Sequence, residues 1–212
     1  EAGSVPAMCD LGVCYERGEG VEQNLEKAVE LYRRAAERGD ATGQCNLGHM
    51  YESGRGVAKD WVQAAKWYGA AAEQGLARAQ LNLGVCCEFG RGVKKDPVRA
   101  AKLYRSAADQ GDRTAQCNLG YLYETGEGVE QNWQEAVKGY TRSAEQGSPR
   151  AQYHLAWCYE HASGVQQDLA KALSLYEAAA AQQYEDAEKQ VQRLRKPPEK
   201  GKFLRGLFGR HG

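Results

Sequence analysis

One eleven-residue stretch constrains this chain more than anything else in it. Leu47-Gly48-His49-Met50-Tyr51-Glu52-Ser53-Gly54-Arg55-Gly56-Val57 recurs, with substitutions, from Leu11, Leu83, Leu119 and Leu155, a constant step of 36 residues. A fixed period in this range is the signature of a solenoid, in which each unit buries its apolar face against the next. The core is then a continuous ribbon, so the 212 residues need not divide into compact domains.

Each unit reads as helix, loop, helix. In the second unit Asp40 is a suitable N-cap for a helix over about 41–53, with Gly43, Leu47, Met50 and Tyr51 on one face. Gly54 and Gly56 can take positive φ and end that helix, and Val57 plugs the turn. Asp60 caps a second helix over about 61–74, with Ala64, Ala65, Tyr68, Ala71 and Ala72 inward and Gly75 closing it. The same capping position is Asn24, Asp60, Asp96, Asn132 and Asp168, all side chains whose oxygen can accept a free backbone N–H. Gly12, Gly48, Gly84 and Gly120 stand inside the first helices, where glycine costs about 1 kcal/mol against alanine. Close helix–helix approach explains them, with Tyr32, Tyr68, Tyr104, Tyr140 and Tyr176 filling the space left.

The repeated pattern A-x3-L-G-x2-Y-x2-G-x-G-V-x2-[DN]-x3-A-x3-Y-x2-A-A-x2-G, over residues 7–183, resembles the Sel1-like repeat family, a relative of the tetratricopeptide repeat. The resemblance implies an all-α, right-handed α-solenoid of five helix-loop-helix repeats that serves protein–protein interaction. The units fall at about 5–40, 41–76, 77–112, 113–148 and 149–184, with a polar capping helix over 185–195 completing a solenoid of residues 1–195. Residues 196–212 form a basic tail. Some secreted bacterial members of the family staple each unit with two cysteines, one at the second alanine of the A-A pair. Those positions are Ala36, Ala72, Ala108 and Ala144 here, so that staple is absent.

The seven cysteines occupy apolar repeat positions: Cys9, Cys45 and Cys117 in one, Cys14, Cys86 and Cys158 in another, and Cys87 where other units carry tyrosine. They act as small buried hydrophobes, as reduced thiols do in a cytoplasmic protein. A signal peptide removed before Glu1 would instead make the protein secreted. Basic and acidic residues balance at 28 each, which gives no field for nucleic acid. Nothing approaches about 18 consecutive apolar residues, as a membrane-crossing helix requires.

If Leu47 and Tyr51 face inward, other positions of the first helix face a partner. One such column is Asp10, Asn46, Asn82, Asn118 and His154. Asparagine forms helix poorly, and its carboxamide can clamp the backbone of an extended peptide or bridge neighbouring units. The next column, Val13, His49, Val85, Tyr121 and Trp157, joins Tyr153 in offering aromatic anchors or ordinary packing between units. Arg78 and Arg150 could meet a ligand carboxylate or remain solvated. Glu16, Glu52, Glu88, Glu124 and Glu160 would draw a basic partner or pair locally with lysine and arginine. Cys45 and His49 share a helix face at a spacing that permits two metal ligands, but further ligands would have to come from another unit, so no metal or cofactor is expected. No phosphate-cradling or nucleophile motif occurs.

The expectation is therefore a non-enzymatic adaptor that holds a partner peptide or helix on its concave face. One alternative is a membrane-surface adaptor attached through residues 200–210, where Phe203, Leu204, Leu207 and Phe208 alternate with basic residues. A more distant one is a regulator or inhibitor of an enzyme.

Overall fold

The computed structural model of the protein describes residues 4–196, so the expectation for residues 200–210 lies outside the described residues. The repeats are five antiparallel helix pairs: α1 Val5–Arg17 and α2 Leu25–Glu37, α3 Ala41–Ser53 and α4 Trp61–Glu73, α5 Ala77–Phe89 and α6 Pro97–Asp109, α7 Arg113–Thr125 and α8 Trp133–Glu145, α9 Pro149–His161 and α10 Leu169–Ala181. A last helix, α11, covers Ala187–Arg195. Each helix packs against its neighbours in sequence, so the described chain is an α-solenoid.

The N-caps act as read. Asn24, Asp96, Asn132 and Asp168 each accept the N–H three residues on, and Asp60 accepts two. The capping helix begins two residues later than the sequence suggested. Tyr184, at the place where Asp40 and Ser148 cap, has no capping oxygen to offer and packs on Tyr153 instead.

The interior is organised by a contact that spans each unit. Tyr32, Tyr68, Tyr104, Tyr140 and Tyr176 are fully buried, and each lies over the glycine position of its partner helix. A methyl carbon added to Gly84 would sit 2.6 Å from the Tyr104 ring, so a side chain there would force the ring to shift. One turn further along the first helix, a glutamate accepts the tyrosine hydroxyl: Tyr32 to Glu16 at 2.8 Å, Tyr104 to Glu88 at 2.5 Å, Tyr176 to Glu160 at 3.1 Å, and likewise Tyr68 to Glu52 and Tyr140 to Glu124. The glutamate column is thus engaged within the solenoid, and Glu16 and Glu160 also pair with arginine, Arg55 and Arg193, as the local-pairing alternative expected. It satisfies five buried hydroxyls. The fifth unit has Ala156 in place of the glycine, and its clasp is the longest of the five.

Units are joined at both edges. At the loop edge the second loop glycine sits against the start of the preceding second helix, and a methyl carbon on Gly92 would fall 1.9 Å from the Trp61 carbonyl oxygen. At the opposite edge runs a glutamine relay. Gln74, Gln110, Gln146 and Gln182 donate to Gln44, Gln80, Gln116 and Gln152, while Gln44, Gln80 and Gln116 donate to carbonyls of the preceding unit. These pairs leave no buried side-chain nitrogen or oxygen unsatisfied among the described residues.

Replacing Tyr104 with phenylalanine keeps the ring and strips the buried Glu88 carboxylate of its donor. The expected cost is about 1–3 kcal/mol of unfolding free energy in urea melts. Tyr176→Phe, whose hydrogen bond is already long, should cost less. Equal losses at the two sites would mean that the hydroxyl–carboxylate contact is not what stabilises the units.

Candidate functional site

The first helices of successive units lie side by side and form a trough. A recess of about 290 Å³ in it is lined by Val13, Glu16 and Arg17 of α1, Cys45, Asn46 and His49 of α3, Arg78 and Asn82 of α5, and Tyr32 from beneath. Three consecutive units build one surface, because only the solenoid brings residues 36 or 72 apart in sequence to the same face.

The asparagine column divides. Asn46 Oδ1 accepts from the Arg78 guanidinium of the next unit at 2.5 Å, and Arg78 Nε reaches Cys45 Sγ at 3.3 Å. Asn118 Oδ1 accepts from Arg150 in the same way at 2.9 Å, and Arg150 also lies over the Tyr121 ring. These two therefore bridge neighbouring units, and Asn118, expected on the partner-facing surface, is buried beneath its arginine. Each carbonyl holds an arginine and fixes where its remaining N–H groups point. Asn82 makes no such bond among the described residues, because Thr114 occupies the arginine position of the following unit. Its carboxamide faces the recess.

The aromatic residues also separate. Tyr121 meets His154 edge-on, and His154 stacks over Tyr140 at 5.0 Å with its Nδ1 3.4 Å from Glu124 Oε2. Tyr153 is closed in by Tyr176 and Tyr184 at the capping end. Trp157 stacks between Trp133 and His161, toward the loop edge. Exposed His49 opens onto the recess. A second hollow, about 450 Å³, lies outside the trough and is bounded by Leu119, Tyr123, Val137 and Gly139. Gly139 stands there where the other units place Leu31, Trp67, Leu103 and Leu175, and its backbone lies so close to α7 that a methyl carbon would fall 2.7 Å from the Gln116 carbonyl oxygen. The trough offers the richer set of donors and acceptors.

Sequence reasoning missed the tyrosine–glutamate clasp, whose members lie 16 residues apart across a loop and so share no helical period. The only signal was that both columns are complete in all five units. Burial, reinforced by the neighbouring carboxylate, pushes each of the five phenols well above its ordinary value. Burial pushes Cys9, Cys86 and Cys158 up to about 12 and Cys117 to about 11, and raises Cys45 and Cys87 too. At Glu124 burial acts upward but is outweighed by hydrogen bonds from His154 and Tyr140 and the nearby charges, so its carboxyl lies below the usual value.

The sequence pattern described as Sel1 repeat matches residues 5–40, 41–76, 77–112, 114–148 and 149–184. Among solved structures, a Sel1 repeat protein from Oxalobacter formigenes is similar at 39% identity and a TM-score of 0.85, over 91% of this chain and 77% of that one. A protective antigen of uropathogenic Escherichia coli displaying an SLR fold is similar at 38% identity and a TM-score of 0.84, over 90% of this chain. This chain spans 41% of that antigen's length. An immunity protein from Pseudomonas aeruginosa shares the fold at 22% identity and a TM-score of 0.56, over 92% of this chain and 76% of that one. No curated protein sequence matches.

The raised phenols and thiols fix how stability responds to alkali. Folded groups hold their protons more tightly than unfolded ones, so their contribution is full below the ordinary values and declines as pH rises past them. Melting temperatures followed by circular dichroism should begin to fall above the ordinary thiol value of 9.0 and drop steeply above the ordinary phenol value of 10.0. A melting temperature that stays level through that window would contradict the burial assigned to these groups.

Proposed function

The chain belongs to the Sel1 repeat family, and on that premise we propose that it is a binding scaffold whose trough holds an extended peptide or a helix of a partner protein. Sel1 repeat proteins generally mediate protein–protein interactions and are typically non-enzymatic. The observation that carries the reading is the recess shared by three first helices, where Asn46, Asn82, Arg78 and His49 converge beside the clasped Glu16. Asparagine offers a donor and an acceptor at one point, which matches the alternating carbonyl and N–H groups of an extended backbone. Arg78, oriented by Asn46 and Cys45, can turn its remaining donors to a carboxylate or to backbone carbonyls. Tyr121 and His154 continue the surface into the fourth and fifth units as flat, partly buried anchors. Buried thiols that fill apolar columns fit a reducing compartment, and we place the protein in the cytoplasm on that ground.

No helix among the described residues is long and apolar enough to cross a membrane. Cross-linked capture from the native source, read by mass spectrometry, identifies the bound chain. His49→Ala with Asn82→Ala should then weaken its capture roughly tenfold, because both side chains face the recess and neither spans units through a side-chain hydrogen bond. Helical content and melting temperature should stay unchanged. Undiminished capture by this double variant would remove the trough from consideration.

A further inference from the structure

The loop edge differs from unit to unit in a way that the scaffold does not require. Between the two loop glycines stand Glu19, Arg55, Arg91 and Glu127, and Ser163 holds the same place between Ala162 and Gly164. Arg55 uses its charge on Glu16 of the preceding unit at 2.7 Å. Arg91 has the matching carboxylate, Glu52, in the unit before it, but its guanidinium instead lies between two rings, 5.1 Å from Trp61 and 5.2 Å from Phe89. Lys59 covers the same indole at 5.3 Å.

The patch is both apolar and uncompensated. Phe89 is 59% exposed, Val62 61% and Val98 52%, at positions where other units place residues such as Ser53, Glu26 and Gln134. Lys59, Arg91 and Lys94 have no carboxylate within salt-bridge reach among the described residues. Of the acids near them in the sequence, Asp60 and Asp96 each use Oδ1 on a helix N-terminus, and buried Glu88 accepts from Tyr104. Lys95 is the exception, paired with Glu127 at 2.7 Å. The corresponding loops of the first and fourth units carry Glu19 and Glu22, and Glu127 and Glu130. The cationic edge is thus confined to the second and third units.

We propose that this edge, centred on Trp61, Phe89 and Arg91, is a second docking surface, and that its occupant is an acidic peptide segment carrying an aromatic or aliphatic side chain. Such a residue seats beside Phe89 and Val62, and flanking carboxylates take Lys59, Arg91 and Lys94. Charge excludes the chain's own tail, since Lys202 and Arg205 flank its apolar residues. Exposed aromatics beside arginine are the composition of binding hot spots, and cations without partners add a salt-dependent attraction.

Display of short random peptides on the full chain tests this, with Phe89→Ser/Arg91→Glu and the trough variant Asn82→Ala screened in parallel. Both edge positions are exposed, and circular dichroism melts check that each variant is folded. The expected result is enrichment of peptides that place Asp or Glu beside Phe, Trp or Leu. Their binding should fall roughly tenfold or more on the edge variant, persist on Asn82→Ala and weaken with salt. Peptides without an acidic bias, equal binding to the edge variant, or no enrichment at all would overturn the proposal. So would two other results: phosphatidylserine vesicles binding the wild type through this edge while no acidic peptide does, or self-association in light scattering that the edge variant alone abolishes.

Discussion

The fold depends on one arrangement repeated five times: a tyrosine ring laid on a glycine, with its hydroxyl given to a glutamate one turn away. Each member requires the others. The ring can be fully buried only if its hydroxyl has an acceptor, and a carboxylate can be held in the interior only if it has a donor. The ring reaches that carboxylate most closely where the intervening position lacks a Cβ, and the fifth unit, with Ala156 there, has the longest contact. The roughly 1 kcal/mol that a mid-helix glycine costs is thereby offset by a packed aromatic and a charge-assisted hydrogen bond. Because the clasp lies inside a unit, it sets the spacing between the two helices of a pair and leaves stacking between pairs to other contacts.

Architecture was legible in the sequence because it is written as period: the step of 36, the capping oxygens, the alanine columns and the turn glycines all recur at fixed offsets. Local rules read such features one at a time, and here they agree with the global repeat. The clasp escaped because its partners are 16 apart and joined through a loop, so neither helical periodicity nor nearest-neighbour reasoning pairs them. The glutamine relay escaped for the same reason, since its members are 30 apart. The candidate trough was legible as a set of columns but not as a set of bonds. Asn46 and Asn118 are alike in sequence to Asn82, and only the arginine one unit later distinguishes them.

That distinction shows where variation carries information. Positions that clasp, cap or stack can change little, and their sameness is explained by mechanics alone. Trough and loop-edge positions such as His49, Asn82 and Phe89 are free of those duties, so charge and shape there can change from unit to unit at little cost to the array. Arg55 and Arg91 illustrate the contrast. The same residue type in the same loop is used once to hold the preceding unit and once to dress an exposed aromatic pair.

The ends of the array follow from the clasp too. Its glutamate gains a second partner from the next element where one is offered: Glu16 from Arg55, Glu124 from His154, and Glu160 from Arg193 of α11 at 2.5 Å. The last case matters most. Ala156 lengthens the fifth clasp, and Glu160 is 8% exposed, so that carboxylate would be under-served if the repeats simply stopped. Helix α11 supplies what a sixth first helix would. Ala187 and Val191 are buried, and Leu194 is half-buried, at the positions equivalent to Gly43, Leu47 and Met50, while Arg193 closes over Glu160. Its outer face is polar because no further unit of the described chain covers it. The cap is therefore a truncated repeat that keeps the stacking residues and exchanges the next clasp for an ion pair.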